Sequence, residues 1–304
     1  MNTPGKDGDR GRQACRGGLW RHLLFGFLGL LLFAGDALAE GDGTRGAYIF
    51  RAAGCHACHS DTTPGAPPLA GGRALKTPFG IFYSPNITPD RETGLGDWSL
   101  SDFAQALRMG VAPDGGAYFP AFPYPSYSGM KDEDIADLWA YLQSVEPVAK
   151  ANLEHDLDFP FGFRFLAGIW KGLFFEPGVY QEDPARDAAW NRGAYLVRHL
   201  GHCGECHTPR GALGALDAER HLAGTLEGPE GKKVPNITPD ATDGVGDWSE
   251  SDLVFFMEIG MLPDGDFAGG AMEEVISEGT SHLTAEDRKA IAQYLLSVPA
   301  LSGP

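Results

Sequence analysis

The stretch RAAGCHACHS at residues 51–60 contains the pattern C-x-x-C-H, which returns 148 residues later in the chain. The two copies are Cys55, Cys58 and His59, and Cys203, Cys206 and His207. Cys15, near the N-terminus, is the one further cysteine. Three kinds of site use such a cluster: a zinc site, a redox dithiol, or an attached haem.

The duplication and the spacing of the pattern favour the haem. A zinc site needs four convergent ligands, whereas each cluster offers three, with no second C-x-x-C nearby. A thioredoxin-type dithiol is expected in a βαβ context, which the sequence does not suggest. In a c-type site both thiols join the porphyrin and the next histidine ligates the iron. The sequence therefore predicts two covalently bound haem c groups, tethered by Cys55, Cys58, Cys203 and Cys206 and ligated by His59 and His207.

The two motifs belong to a longer internal repeat. SPNITPDRETGLGDWSLSDF from Ser84 is echoed by VPNITPDATDGVGDWSESDL from Val234, an offset of 150 residues. RGAYIFRAAGCHACH from Arg45 is echoed by RGAYLVRHLGHCGECH from Arg192. We therefore divide the chain into a first haem domain over residues 40–150, an aromatic-rich linker over residues 151–186, and a second haem domain over residues 187–304.

Each unit is predicted to be helical, so the expected fold class is all-α. An apolar helix leads into each C-x-x-C-H motif. Ser99 and Ser249, each with an aspartate three residues later, resemble capping-box starts, and Gly110 and Gly260 are natural helix stops. The closing helices carry apolar stripes with helical spacing, formed by Ile135, Leu138, Trp139 and Leu142, and by Ile291, Tyr294, Leu295 and Val298. We expect these stripes to be core.

The second ligand of each iron must come from outside the motif. A methionine thioether is the usual partner of the histidine in electron-carrying cytochromes c. Met109 and Met257 lie inside apolar helices, where a core role is expected. We assign Met130 and Met272, which lie between the middle and closing helices of their units. They are not at equivalent positions, since Met130 aligns with Leu283, and bis-histidine ligation is the alternative.

The loop PPLAG at residues 67–71 follows the first motif. We expect a prolyl carbonyl there to accept the remaining N–H of His59 and so to fix its tautomer. The alternative is an ordinary turn. The second unit has HLAG at residues 221–224 and lacks the proline pair, so His207 is expected to be held differently.

The N-terminus has the pattern of a secretory signal peptide. Four arginines between Arg10 and Arg21 precede an apolar run over residues 23–33, and Ala37-Leu38-Ala39 then supplies small residues for cleavage before Glu40. A retained membrane anchor is the alternative, although the run is shorter than the roughly 20 residues of a span. We expect residues 1–39 to be removed and the mature chain to be periplasmic.

The mature chain is strongly acidic. Removing residues 1–39 takes away five basic and three acidic residues, which changes the formal charge from −17 to −19. Such a chain is a poor candidate for binding nucleic acid, whose phosphates require basic patches. Its acidic surface favours a partner with a basic docking face, although most of these carboxylates need do no more than solvate the surface.

The linker is unusually aromatic for a solvated connector. One interpretation is that it packs between the two haem domains and fixes their separation. The other is an apolar face for a dehydrogenase subunit or for the membrane interface. Its large rings belong to Phe159, Phe161, Phe163, Phe165, Trp170, Phe174 and Phe175.

Several long motifs resemble those of the multihaem cytochrome c subunits of membrane-bound bacterial alcohol, aldehyde and gluconate dehydrogenases. The motifs are the run from SPNITPD to the closing helix DEDIADLWAYL, the linker FPFGFRFLAGIWKGLFFEPG, and WNRGAYLVRHLGHCGECHTPRGALGA. The resemblance covers nearly all of the mature chain. It implies two tandem class I cytochrome c-like domains with His/Met haems, in which Met130 and Met272 complete the two iron sites.

The implied function is electron transfer without catalysis of its own. Electrons would pass from a dehydrogenase to a cytochrome, an oxidase or a quinone-linked acceptor. Better-known members of the family carry three haems and a membrane-associating C-terminal segment, whereas Pro304 follows soon after the second unit. A two-haem relay is therefore expected, with peripheral association at the outer face of the inner membrane left open. The rival hypothesis is a dihaem enzyme of the peroxidase or thiosulfate-oxidising type with one reactive haem.

Overall fold

The computed structural model describes residues 41–228 and 231–304, so the predicted signal peptide lies outside the described part of the chain. Helices dominate the described residues. None of them is both long and apolar enough to cross a membrane. The elements up to residue 144 are α1 (Gly43–Ala52), α2 (Cys55–His59), β1 (Ala74–Thr77), β2 (Gly80–Tyr83), α3 (Leu100–Met109), α4 (Tyr124–Tyr127) and α5 (Asp132–Ser144).

The rest of the chain repeats this helical order after a connecting segment. The connecting segment contains β3 (Asp156–Leu157) and α6 (Arg164–Phe174). The helices that follow are α7 (Ala188–Tyr195), extended by a π-helical turn (Leu196–Leu200), α8 (Gly204–His207), α9 (Glu250–Ile259), α10 (Ala271–Glu278) and α11 (Ala285–Ser297), with 3-10 turns at Ala218–Arg220 and Thr280–His282.

A small antiparallel sheet departs from the all-α prediction. Its strand order is β1-β2-β3, with Thr77 opposite Gly80 at the tight turn and Gly80 opposite Leu157 at the other edge. The strands have two to four residues, which is too short for an alternating pattern to stand out in the sequence.

Two helix crossings form the core of the fold. Helix α1 packs on α5 and α7 packs on α11, so the first and closing helices of each unit pair with each other. The repeated RGAY motif places a glycine at each crossing. A Cβ atom on Gly46 would lie 1.9 Å from the Asp137 carbonyl oxygen, and one on Gly193 would lie 2.0 Å from that of Ala290. Only glycine therefore allows the backbones to approach this closely.

The predicted stripes and caps are confirmed. The buried side chains of the closing helices include Ile135, Leu138, Leu142, Ile291, Tyr294 and Leu295, while Trp139 and Val298 are partly buried. The backbone N–H of Asp102 donates to Ser99 Oγ at 3.2 Å, and that of Asp252 donates to Ser249 Oγ at 3.1 Å. Both helices end at a left-handed glycine, Gly110 for α3 and Gly260 for α9.

The two halves are tied together by a reciprocal pair of hydrogen bonds. Tyr48 of α1 donates its hydroxyl to Asp287 Oδ2 of α11, and Tyr195 of α7 donates to Asp134 Oδ2 of α5, each at 2.5 Å. Each tyrosine oxygen also accepts the N–H of the residue three positions before its aspartate, at 3.2 Å and 3.0 Å respectively. The tyrosine of each RGAY copy therefore braces the closing helix of the other half.

The linker contacts both halves but leaves much of its apolar surface exposed. Trp170 Nε1 of α6 donates to the Leu213 carbonyl, and Lys171 Nζ donates to the Met109 carbonyl, each at 2.8 Å. The packing interpretation fits this inner side of α6. The exposed aromatic rings are those of Phe159, Phe163, Phe165 and Phe174, so the apolar-face interpretation stays a prediction.

Candidate haem-attachment sites

Each C-x-x-C-H motif lies on a short helix that brings two thiols and one imidazole together. Cys55, Cys58 and His59 all belong to α2, one helical turn long. In the second copy Cys203 immediately precedes α8, which contains Cys206 and His207. The four thiols form no disulfide. The structure thus assembles both predicted clusters.

The thiols have the electrostatics of tethers and not of a redox dithiol. Burial raises the pKa of Cys55 and of Cys203 to about 12 and that of Cys206 to about 11, and it raises the pKa of Cys58 as well. They therefore remain protonated at neutral pH. Reactive cysteines in C-x-x-C redox motifs show the opposite shift, because their thiolates are stabilised.

The histidines of both motifs are held by equivalent contacts. The Nδ1–H of His59 donates to the Pro85 carbonyl and that of His207 donates to the Pro235 carbonyl, each at 2.8 Å. Burial lowers the pKa of both rings, and the bond to the carbonyl opposes this only in part. Each imidazole is thus neutral, with its Nε2 lone pair free to bind a metal.

The predicted role of the PPLAG loop is wrong. The prolyl carbonyl that holds His59 belongs to the repeated PNITPD motif, and this is also why the second histidine is held in the same way as the first. The PPLAG and HLAG loops instead hold the two PNITPD segments through backbone hydrogen bonds. The Leu69 carbonyl accepts the Ile87 N–H at 2.9 Å, and the Leu222 carbonyl accepts the Ile237 N–H at 3.0 Å.

The asparagine of PNITPD is a functional position that the sequence analysis missed. Asn86 Nδ2 donates to the Val148 carbonyl at 2.7 Å, and Asn236 Nδ2 donates to the Leu301 carbonyl at 2.6 Å. Both side chains are buried. Each ties the proline that holds a histidine to the chain that follows a closing helix. The near-identity of the two PNITPD copies was the signal that could have revealed this role.

The two methionines assigned to the iron lie in different surroundings. Met130 is fully buried (0% exposed) in the turn after α4, where its N–H donates to the Tyr127 carbonyl at 2.9 Å. Met272 is partly buried in the first turn of α10. The core role expected of Met257 is confirmed, whereas Met109 is exposed, so that expectation was wrong. Both ligand assignments stay predictions.

Tyr127 joins the two motifs across the boundary between the halves. Its hydroxyl donates to the Ala53 carbonyl at 2.7 Å, two residues before the first motif. Its ring lies 5.3 Å, centroid to centroid, from the ring of His202, which directly precedes the second motif. Tyr127 therefore links the segments that lead into the two attachment helices.

Each methionine-bearing segment is braced by the opposite half. Ser126, in α4 ahead of Met130, donates its hydroxyl to Glu205 of the second motif at 2.7 Å. Glu278, at the end of α10, accepts from Arg51 at 2.7 Å and lies 3.3 Å from the His56 ring of the first motif. The environment of each site thus depends on residues of the other.

The donor set fits a covalently bound haem c. Each site combines two protonated thiols one turn apart with a neutral imidazole whose Nδ1 is already engaged. In the first half, a fully buried thioether lies on the segment between the middle and closing helices. These are the groups that thioether tethering and axial ligation require.

Comparisons with known proteins agree with this fit. The family model for cytochrome c matches residues 43–146. A diheme c-type cytochrome of Cereibacter sphaeroides is 45% identical over 275 residues, which cover 89% of each chain. The cytochrome c subunit of gluconate 2-dehydrogenase from Pantoea cypripedii is 42% identical over 291 residues, or 91% of this chain and 64% of that one.

A third relative is the cytochrome c subunit of the quinone alcohol dehydrogenase of Gluconobacter oxydans. It is 39% identical over 267 residues, or 84% of this chain and 55% of the relative. The chain thus spans between half and two thirds of the length of these dehydrogenase subunits, but nearly all of the diheme cytochrome.

Proposed function

The chain belongs to the cytochrome c family, and from that premise we propose that it is a periplasmic dihaem cytochrome c that relays electrons from a dehydrogenase to a downstream respiratory acceptor. Two tandem class I cytochrome c-like domains, residues 40–150 and 187–304, would each hold one haem c. One observation carries the proposal: in each half, the carbonyl of the equivalent proline accepts a hydrogen bond of 2.8 Å from the motif histidine.

The residues of each site divide the work of holding a haem. In the first half Cys55 and Cys58 would tether it, and His59 and Met130 would ligate its iron. In the second half the corresponding residues are Cys203, Cys206, His207 and Met272. A bound haem c supplies a one-electron ferric–ferrous couple. The chain supplies orientation through the proline carbonyls and a buried environment.

The contacts of Tyr127 with the segments ahead of both motifs support electron passage between the two sites. Electron transfer slows steeply with distance, so an efficient relay needs its two centres close together. Tyr127 contacts the segments ahead of both motifs, through the Ala53 carbonyl and the His202 ring. We assign Tyr127 the role of fixing the spacing between the attachment helices.

The donor and the compartment follow from the relatives and from the N-terminus. Relatives named as cytochrome subunits of gluconate, alcohol and fructose dehydrogenases support a dehydrogenase as the donor. The acceptor would be a cytochrome, an oxidase or a quinone-linked protein. The predicted signal peptide over residues 1–39 supports export to the periplasm, with peripheral association at the outer face of the inner membrane.

Haem stoichiometry tests the two-site assignment. We expect two haems per chain by the pyridine haemochrome assay on the purified holoprotein. One haem should remain when Cys55 and Cys58 are both replaced by alanine, and one when Cys203 and Cys206 are. Retention of two haems in either double variant would contradict the assignment.

A reduction assay tests the relay. Membranes of the host that lack this chain would be supplied with ethanol, gluconate or fructose, and reduction of added holoprotein would be followed in the visible absorption bands. We expect reduction with the substrate of one membrane dehydrogenase and none in its absence. Turnover of peroxide, or ready binding of carbon monoxide to one reduced haem, would instead favour the dihaem enzyme.

A further inference from the structure

Two matching hairpins follow the middle helices of the two halves. Hairpin 1 comprises residues 111–117, after α3, and hairpin 2 comprises residues 261–267, after α9. Each is closed by a β-bridge, Val111 with Ala117 and Met261 with Phe267. A second contact across the base of each hairpin also repeats, since the carbonyls of Gly110 and Gly260 accept the N–H groups of Tyr118 and Ala268, each at 2.8 Å. The two backbones thus offer the same groups to a neighbour.

Hairpin 1 is covered by the inner face of α6. Arg164 donates to Asp114 Oδ2 at 3.0 Å and to the Ala117 carbonyl at 3.1 Å. Seven residues later Lys171 donates to the Met109 carbonyl at 2.8 Å. A Cβ atom on Gly168, between these two cations, would lie 4.0 Å from the Cβ of Ala117. An amphipathic helix with two cations on one face therefore docks on this hairpin.

Aromatic rings fill the groove beside hairpin 1. A Cβ atom on Gly110 would lie 2.6 Å from the ring of Tyr124. Phe175, directly after α6, packs against Tyr124 with the two ring centroids 5.0 Å apart. The covering helix thus ends with an aromatic side chain beside this groove.

The position beside Gly260, ahead of hairpin 2, is less crowded. A groove of about 420 Å³ lies between hairpin 2 and α10, and a cavity of the same volume lies between hairpin 1 and α6. A Cβ atom on Gly260 would meet no atom closer than 3.6 Å. Ile259 and Phe267, on its rim, are 50% and 60% exposed, and Phe255 and Val275 are exposed nearby. Such a cluster of exposed apolar side chains marks an interaction surface.

One acidic position of hairpin 2 matches hairpin 1, and the groove beside it contains two further acidic residues. Asp264 stands where Asp114 stands in hairpin 1, and its carboxylate is exposed. The Ile259 carbonyl stands at the position of the Met109 carbonyl, which accepts Lys171 in the first half. Glu273 lines the groove as well, as does Glu258, which pairs with Arg288 at 3.1 Å. These charges oppose an anionic lipid surface and favour a cationic partner.

We propose that hairpin 2 and its groove dock an amphipathic helix of a partner protein that carries two basic residues seven positions apart and an aromatic residue four positions later. The first cation would bind Asp264, the second the Ile259 carbonyl, and the aromatic ring would enter the groove. The chain itself provides the template in Arg164, Lys171 and Phe175. The inference does not depend on the proposed electron relay.

A peptide with the sequence of residues 162–177 is the probe. Its binding to the full haem-loaded protein would be measured by fluorescence anisotropy of a label on the peptide. We expect saturable binding that weakens with added salt. The Asp264→Asn variant should bind about tenfold more weakly, because it loses a charge-assisted hydrogen bond. The matched Asp114→Asn variant should bind as the unmodified protein does.

Three outcomes would overturn the proposal. The site would not recognise charge if the Asp264→Asn protein bound the peptide as tightly as the unmodified protein does. The same would follow if a peptide with Arg164→Glu and Lys171→Glu bound as tightly as the unmodified peptide. Concentration-dependent dimerisation that Asp264→Asn abolishes would assign the face to a second copy of the chain. Binding to phosphatidylglycerol vesicles that Phe267→Ser abolishes and Asp264→Asn leaves unchanged would assign it to a membrane.

Discussion

The attachment side and the methionine side of the two sites differ in how well the duplication is preserved. On the attachment side, the contact between the histidine and the prolyl carbonyl has the same length in both halves. On the other side, Met130 is sealed in a tight turn, whereas Met272 lies at the partly open start of a helix. The repeated motifs have the same residues and therefore the same local geometry. The methionine-bearing segments differ in sequence, and the burial and local backbone structure of the two methionines differ as well.

The largest expected difference between the halves lies in the two methionines. We expect Met130→Ala to lower the free energy of unfolding by about 2–5 kcal/mol, because it opens a cavity in a fully buried site. Met272→Ala should cost about 0.5 kcal/mol of packing, since it is partly exposed. Denaturant unfolding of the holoprotein measures both. Each variant should also lose the thioether–iron charge-transfer band of one haem.

Met109→Ala is the control for the methionine pair, because Met109 is exposed and assigned to neither iron. It should change neither the stability nor the spectrum. A low-spin spectrum that survives unchanged in Met130→Ala or Met272→Ala would refute the corresponding ligand assignment.

The two reciprocal tyrosine contacts allow a comparison of pH dependence. Asp287 is buried, which raises its pKa, but hydrogen bonds from Arg192 and Tyr48 outweigh burial and leave the pKa below the ordinary 3.8. Its stabilisation is therefore present above pH 3.8 and is lost as the pH falls through the lowered pKa. For Asp134, burial dominates and raises the pKa. Ionisation of this carboxyl therefore destabilises the folded state as the pH rises.

Stability measured from pH 3 to pH 7 would show this opposition. We expect Asp287→Asn to lower the free energy of unfolding by about 1.5–3 kcal/mol at pH 7, with a smaller loss at pH 3. Asp134→Asn should cost less at pH 7 than Asp287→Asn does. Equal costs at pH 7 would show that the two contacts are electrostatically alike.

The loss in free energy of unfolding on substitution should differ by a smaller amount between the two PNITPD asparagines. Asn86 donates to the Val148 carbonyl and to Thr93, while the hydrogen bond to the Leu301 carbonyl is the main donor contact of Asn236. We expect Asn86→Ala to cost about 2 kcal/mol and Asn236→Ala about 1 kcal/mol. Thermal unfolding of both variants checks the order. A larger loss at Asn236 would mean that the end of the chain is the more firmly held.

The loss in free energy of unfolding should differ least between substitutions in the two capping boxes. Ser99 and Ser249 make the same reciprocal contacts with the aspartate three residues later. Ser99→Ala and Ser249→Ala should each cost about 1 kcal/mol. Unequal effects, measured by chemical denaturation, would show that one middle helix is held mainly by its tertiary contacts.

Local signals predicted the attachment side well. The C-x-x-C-H spacing, the serine caps, the glycine stops and the apolar stripes each act within a few residues, so the sequence exposes them directly. The carbonyls that hold the histidines could not be predicted in this way. His59 and Pro85 are 26 residues apart, and the acceptor is a backbone atom that every residue carries.

The contacts between the halves were also beyond sequence reasoning. Tyr48 and Tyr195 belong to a conspicuous repeat, but periodicity assigns a tyrosine to a helix face and does not name its partner. The exposed rings of the linker show the same limit. Aromatic content favoured a packed segment, whereas Phe165 and Phe174 lie at the surface because α6 places its small and basic residues against hairpin 1.

The reciprocal contacts between the two halves also form late in folding. The hydrogen bond from Tyr48 to Asp287 joins residues 239 positions apart, and the Arg51 contact with Glu278 spans 227 positions. Contacts this distant in sequence form late, because a long loop must close first. Helix α1 packs on α5 first and acquires its contacts with Glu278 and Asp287 only after nearly the whole chain has been synthesised. Until then His56 of the first C-x-x-C-H motif lacks its contact with Glu278.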